Sequence, residues 1–204
     1  MSGFDIRFLK TEEELDQFFK LRHEVFTIEK KWVESEETES DKFDKFGKFL
    51  GVFFGTDLAA AIRLIDHKHP WMFEQVKAFS SLLKKPIKRD RFSVETTRYF
   101  VAEKYRSIQV INGTKFLVSK ALQQALYSYF NVADVRKAYS CFTYKVHYLF
   151  RMQGLSGELL NENIKIDEDM ETAIPVLLHI PKIDTEKFLV PELSNIVDVS
   201  FPKN

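Results

Sequence analysis

A chain of 204 residues with 45% hydrophobic content and 20 phenylalanines can bury a continuous core, which excludes the disordered class. Lys+Arg and Asp+Glu number 30 each, so the zero net charge removes the whole-chain electrostatic footprint of a nucleic-acid binder. The single cysteine, Cys141, cannot form an intrachain disulfide, and residues 1–5 open no apolar segment of signal or membrane-spanning length, so a soluble, cytoplasmic protein is expected.

Thr11 with Glu14 three residues later reads as a capping box, and Leu15, Phe18, Phe19, Val25 and Phe26 follow at helical spacing. A first helix is predicted over 12–29. Arg22 falls one turn after Phe18 and one turn before Phe26, which puts a guanidinium on or beside the apolar stripe. Residues 33–47 lack an apolar period and carry Glu34, Glu36, Glu37, Glu39 and Asp41, the pattern of a solvated loop or lid. Its later part, with Asp41, Phe43, Asp44 and Phe46, interleaves aromatics with carboxylates and is expected to fold back onto the body.

Lys48–Phe54 and Leu58–Ile65 read as strands of a hairpin joined by Gly55-Thr56-Asp57, with Arg63 in the second. Pro70 and Trp71-Met72-Phe73 open a predicted helix through about Leu83, followed by a basic cluster of Lys84, Lys85, Lys88, Arg89 and Arg91. Phe92–Ala102 reads as a central strand and Ile111–Phe130 as a long helix. Val135–Thr143 is a further strand, followed by a helix that ends before Gly154. Glu171–Ile180 is the last strand, and Pro175 within it favours an edge or a bulge. This alternation predicts an α/β protein with three αβα layers around a mixed, mostly antiparallel sheet, in a single domain over 1–204.

Charges on core-facing elements are expensive unless paired or used, so Arg22, Asp41, Asp44, Arg63, Glu95 and Arg98 are the functional candidates. In a regular strand Glu95 and Arg98 point to opposite faces, and both can serve one cleft only if the strand is bulged or splayed there. The alternative for each is structural: a snorkelling Arg22, an ordinary acidic loop, plain core aromatics. His67 and His69 lack a third ligand and read as surface residues, and Cys141 as a core thiol, so no metal site is expected.

The pattern Arg22-x-x-x-Phe26, Trp32, Asp41-x-x-Asp44, Arg63-Leu64, Pro70-Trp71-Met72, Phe79 and Glu95-Thr96-Thr97-Arg98-Tyr99-Phe100-Val101 resembles the acyl-homoserine-lactone synthases, the quorum-sensing autoinducer synthases, over roughly residues 4–155. The resemblance implies a GNAT-like fold and an acyltransferase. It would N-acylate S-adenosylmethionine, as cosubstrate without a tightly bound cofactor, from an acyl-carrier-protein thioester. Lactonisation would release 5′-methylthioadenosine.

On this resemblance Glu95 is the candidate base, with Arg98 beside it, and Arg22, Phe26, Trp32, Asp41, Asp44, Arg63 and Phe79 are the cosubstrate-binding set. Phe100, Phe116, Leu117, Leu122 and the Phe142-Thr143 region would line the acyl chain, with the Thr143 hydroxyl meeting an oxidised chain. Burial would raise the pKa of Glu95 and Arg63 or Arg98 would lower it, and the sequence leaves that balance open. The chain departs from the family's pattern around Arg63, with Ala60-Ala61-Ile62 before it and Asp66-His67-Lys68-His69 after Ile65. After Val101, Lys104-Tyr105-Arg106-Ser107-Ile108 contains no glycine-rich pyrophosphate loop, which favours acyl carrier protein over acyl-coenzyme A as donor. Lys84, Lys85, Lys88 and Arg89, or Arg136, Lys137, Lys145 and Arg151, are candidate docking patches for that acidic partner. The alternatives are a GNAT-like acyltransferase for another amine and a catalytically silent acyl- or carrier-binding relative.

Overall fold

Seven strands form one sheet in the computed structural model, which describes residues 4–110, 117–152 and 157–181. They are β1 (Phe4–Phe8), β2 (Gly47–Phe54), β3 (Asp57–Asp66), β4 (Ser93–Val101), β5 (Lys137–Thr143), β6 (Gly157–Leu159) and β7 (Ala173–His179), in the order β1-β2-β3-β4-β5-β7-β6. Every pairing is antiparallel except β4 with β5. β1 and β6 lie where the sequence predicts no strand. β1 has a period-two burial pattern over five residues, and β6 has three residues, too few for a period.

The sheet is apolar on both faces. Leu50, Val52, Ala60, Ile62 and Leu64 pack against α4 (Val118–Val132), with Phe142 and Phe150 in the same cluster. Phe150 comes from α5 (Tyr144–Met152). On the other face Phe49, Phe53, Ala61 and Phe100 pack against Phe18, Val25 and Phe26. Fully enclosing one such phenylalanine stabilises the fold by about 2 kcal/mol.

α1 (Glu12–Arg22) starts at the expected capping box, where Thr11 Oγ1 accepts from Glu14 N–H and Glu14 accepts from Thr11 N–H. The predicted helix over 12–29 changes character after Arg22, continuing as a π-helical segment over His23–Glu29. The start predicted at Ile111, the tunnel candidate Phe116 and the stop at Gly154 lie outside the described residues.

The helix predicted over 70–83 is instead two single turns, α2 (Met72–Gln75) and α3 (Lys77–Ser80). They are separated by extended Val76, with φ −100° and ψ 114°. Val76 packs into the cluster of Phe73 and Phe79, and the break lets those two rings meet edge-on at 6.1 Å.

Pro175 is not at an edge or bulge, because β7 pairs with β5 on one side and β6 on the other. Its missing N–H falls just past the end of β6. Leu160 N–H still donates to Pro175 O, and Leu160 O accepts from the amides of Lys84 and Lys85 instead.

Two irregularities shape the centre of the sheet. Between the pairs Ala61↔Phe100 and Arg63↔Thr97 one residue of β3 faces two of β4, and Arg98 there has a φ of 58°. The β4–β5 ladder stops at Thr96↔Ser140, although the strands run on to Val101 and Thr143. The strands therefore part beside the bulge.

Candidate active site

Three buried or nearly buried guanidiniums converge on the face that carries α1. Arg22 sits where α1 gives way to the π-helical segment, and it is wholly enclosed. Its Nε donates to Glu39 Oε2 and its Nη1 to Asp44 Oδ1 at 2.7 Å. Arg63, from β3, donates through Nη1 to Asp41 and Asp44 and through Nε to Thr97 Oγ1 at 3.0 Å. Arg98, from the bulge, donates through Nε and Nη2 to Glu39 at 3.0 and 2.8 Å and through Nη2 to Asp41 at 2.9 Å.

Three cations are thus met by three carboxylates, each shared between chains of bonds that cross from helix to loop to sheet. The loop carrying these carboxylates is only partly the solvated segment expected. Glu34, Glu36 and Glu37 are exposed, whereas Glu39 is 2% exposed, and its amide donates to Phe19 O. Glu39, Asp41 and Phe43 turn inward while Ser40 and Lys42 stay exposed, and the chain turns over Lys42 and Phe43 into a single 3-10 turn at Asp44–Phe46. Asp41 Oδ1 accepts from Phe43 N–H and Asp44 Oδ2 from Asp41 N–H, so the turn itself orients both aspartates.

Sequence reasoning overlooked Glu39 by counting it with the exposed acids. The period-two spacing with Asp41 and Phe43 was the available signal. Burial pushes the Glu39 carboxyl up, but Arg22 and Arg98 more than offset this and hold it below its ordinary value. Asp41 is lowered in the same way, against burial, by Arg63 and Arg98. For Arg98 burial prevails over Glu39 and the guanidinium is lowered.

Glu95 lies on the same face, with 0% exposure. Its Oε1 accepts from Met72 N–H at 3.1 Å and its Oε2 from Phe73 N–H at 2.9 Å. Burial raises its pKa to about 7 against the pull of those two amides and of Arg63. Burial therefore decides the balance that the sequence left open. Each oxygen keeps a second lone pair for a proton or a water.

Phe26 and Trp32 stack with centroids 5.8 Å apart, and the Arg98 guanidinium lies 5.9 Å over Phe26. Trp32 keeps 49% of its surface exposed, so an aromatic face remains open beside the ion cluster. Phe79 packs edge-on against Phe73, in the cluster that holds Trp71 and Met72.

The acyl-chain candidates are divided by the sheet. Phe100 packs with Phe18 and Phe26 on the α1 face, whereas Leu122 and Phe142 lie on the α4 face. Leu117 is partly buried just before α4, and the Thr143 hydroxyl accepts from Val146 N–H at the start of α5. At the last parallel rung the hydroxyls of Thr96 and Ser140 bond to each other, fully enclosed.

Among the described residues no group of three or more His, Cys, Asp or Glu could hold a metal ion, and no helix is long and apolar enough to cross a membrane. His67 pairs with Asp66, and His69 stacks on Phe46. Burial pushes the Cys141 thiol up to about 12, which suits a core residue.

A family model described as autoinducer synthase matches residues 7–188. No curated protein gives a match. The fold is similar to that of a CoA-dependent acyl-homoserine lactone synthase, BjaI, solved with SAM and isopentyl-CoA, at TM-score 0.78 and 20% identity, covering 99% of this chain and 96% of that one. It is also similar to the AHL synthase LasI, at TM-score 0.74 and 20% identity over 93% and 95% of the two chains. TofI, in a ternary complex with an inhibitor and MTA, aligns at TM-score 0.70 and 16% identity over 93% and 98%. At such identities these likenesses establish the fold, the GNAT-like αβα architecture expected from the sequence.

Proposed function

The chain belongs to the autoinducer synthase family, and we propose that it makes an acyl-homoserine lactone by N-acylating S-adenosylmethionine and closing the lactone with release of 5′-methylthioadenosine. The observation that carries this reading is Glu95, a carboxylate with a pKa of about 7 next to an ion cluster of three arginines and three acids. BjaI, whose structure contains SAM, shares the fold.

Acyl transfer needs a neutral amine, and the α-ammonium of the cosubstrate must lose a proton before attack on the thioester. A base that titrates near neutrality suits that step. Glu95, held by the amides of Met72 and Phe73, accepts the proton on a remaining lone pair, through one water. Nitrogen attack on the thioester carbon puts negative charge on the carbonyl oxygen. We assign its stabilisation, at about 3 kcal/mol per donor, to main-chain amides of β4 beyond Thr96, a reading supported by the end of the β5 ladder there. Collapse breaks the C–S bond, and the second proton that the nitrogen gives up goes to the leaving thiolate, so the donor departs as its thiol.

The amino-acid end of the cosubstrate is a zwitterion, so it inserts into the balanced cluster without changing its net charge. Its carboxylate pairs with Arg22 and Arg98, and its ammonium with Asp41 and Asp44. Trp32 and Phe26 offer aromatic faces to the adenine or the sulfonium, worth about 1 kcal/mol for the cation. The carboxylate then takes the γ-carbon and displaces 5′-methylthioadenosine.

We assign acyl carrier protein as the donor and the cytoplasm as the compartment, with residues 1–204 acting as one domain. Support for the donor is the absence of a glycine-rich loop after Val101, where the chain forms a 3-10 turn over Glu103–Tyr105. BjaI is CoA-dependent, so acyl-coenzyme A is the competing donor. Neither basic patch is decisive, since Lys85 pairs with Glu158, Arg136 with Asp134 and Lys137 with Asp90.

The full enclosure of Glu95 favours one second reading, a relative that binds the cosubstrate without turnover. The test is stoichiometry. Equal release of donor thiol and 5′-methylthioadenosine, both dependent on S-adenosylmethionine, supports the synthase. Binding without either product supports the silent relative, and thiol release with another amine but no 5′-methylthioadenosine supports a different acyltransferase.

A further inference from the structure

Arg63 spends its donors in an uneven way. Nε goes to Thr97 and Nη1 to Asp41 and Asp44, but Nη2 donates to Met72 Sδ, a neutral thioether and a weak acceptor. The main-chain amide of the same Met72 donates to Glu95 Oε1. A guanidinium beside a dry carboxylate ordinarily pairs with it through two parallel bonds. None of the bonds that Arg63 makes here goes to Glu95, although Arg63 lies close enough to act on its charge.

We propose that Met72 is a positioning residue whose sulfur keeps Arg63 on the acidic cluster and off the Glu95 carboxylate that its own amide fixes. One residue thereby separates the two tasks of the site. Arg63 stays with Asp41 and Asp44, which the reading above gives to the cosubstrate, and Glu95 keeps the proton affinity of a base.

The other groups around Glu95 do not substitute for this arrangement. Glu74 of α2 raises its proton affinity. From β5, Tyr139 is its register partner and Cys141, a neutral thiol, interacts with it. Arg98, farther along β4, is committed to Glu39 and Asp41. Arg63 is thus the cation whose placement governs Glu95.

The proposal rests on the synthase reading for its purpose but is measured without turnover. The carboxyl carbon of Glu95 is titrated by NMR in the full chain for wild type, Met72→Leu and Met72→Gln. Leucine keeps the volume and removes the acceptor, whereas glutamine restores a neutral acceptor. The wild-type midpoint is expected near 7, with Met72→Leu lower by about 1 pH unit or more as Nη2 turns to Glu95, and Met72→Gln close to wild type. An unchanged midpoint in Met72→Leu, or an equal drop in both variants, overturns the proposal. If the leucine variant fails to fold, Met72→Ala is titrated in its place against the same criteria. A wild-type chain that makes no lactone yet shows these midpoints sinks the synthase reading and leaves the role of Met72 standing.

Discussion

Thr97 and Arg98 are neighbours in β4 whose side chains reach the same ion cluster: Thr97 Oγ1 accepts from Arg63 Nε at 3.0 Å, and Arg98 Nη2 donates to Asp41 Oδ2 at 2.9 Å. Consecutive strand residues alternate faces, and the φ of 58° at Arg98 cancels one alternation. Tyr99 is consequently sent to the opposite face, against Phe142 and Phe150. The left-handed backbone costs about 1 kcal/mol, offset by three charged hydrogen bonds.

Arg98→Lys keeps the charge but loses the planar fork through which Nε and Nη2 together reach both oxygens of Glu39. Lactone formation should lose about 10- to 100-fold in kcat/KM with the fold retained, the worth of one or two charged hydrogen bonds. Steady-state kinetics alongside circular dichroism check this, and wild-type kinetics would argue against a role for the fork.

Glu39→Gln leaves Arg22 and Arg98 facing one charge fewer in an enclosed site. Breaking a buried pair on one side should destabilise the chain by about 3 kcal/mol, read as a lower urea midpoint. Glu39 and Asp41 have folded pKa values below 4.5 and 3.8, so their stabilisation is present above those values and disappears as pH falls through the lower folded ones. The stability gap between Glu39→Gln and wild type should therefore narrow as pH falls below 4.5.

Glu95 has the opposite sign. Between pH 4.5 and about 7 the folded chain holds a proton that the unfolded chain has lost, so Glu95 makes stability fall as pH rises through that window. Thermal unfolding of wild type against Glu95→Gln from pH 4.5 to 8 should show this slope in wild type and its loss in the variant. Parallel curves would mean that Glu95 is not a raised carboxyl.

Much of this site was visible in the sequence because its residues sit on regular elements. Thr11 and Glu14 start α1 and thereby phase Phe18 and Arg22, and the Gly55 turn phases Arg63 on β3. Other features depend on partners that no local pattern contains. Glu39 is buried because arginines from α1 and β4 meet it, and Pro175 is tolerated inside the sheet because the amides of Lys84 and Lys85 take the carbonyl it cannot serve. The break at Val76 arises in the same way, from packing against Phe73 and Phe79 rather than from helix propensity.

His147 is 3% exposed, neither ring nitrogen has a hydrogen-bond partner among the described residues, and burial followed by the Arg151 charge lowers its pKa. Stability should fall as pH drops below 6.5, where the unfolded ring takes up a proton more readily. His147→Leu should gain about 1 kcal/mol at neutral pH and flatten that decline, since it removes two unpaired polar atoms. Chemical denaturation at pH 5 and 7.5 measures both effects, and a less stable leucine variant would show that the ring is satisfied.

The decisive measurement is mass spectrometry of the products formed by purified protein with S-adenosylmethionine and a panel of acyl-carrier-protein and acyl-coenzyme A thioesters. Wild type should yield an acyl-homoserine lactone together with 5′-methylthioadenosine, and Glu95→Gln should fall about 100-fold or more, the scale of losing a general base. If wild type binds S-adenosylmethionine but yields no lactone with any donor, or Glu95→Gln matches it, the assignment of Glu95 and its ion cluster as a lactone-forming site is wrong.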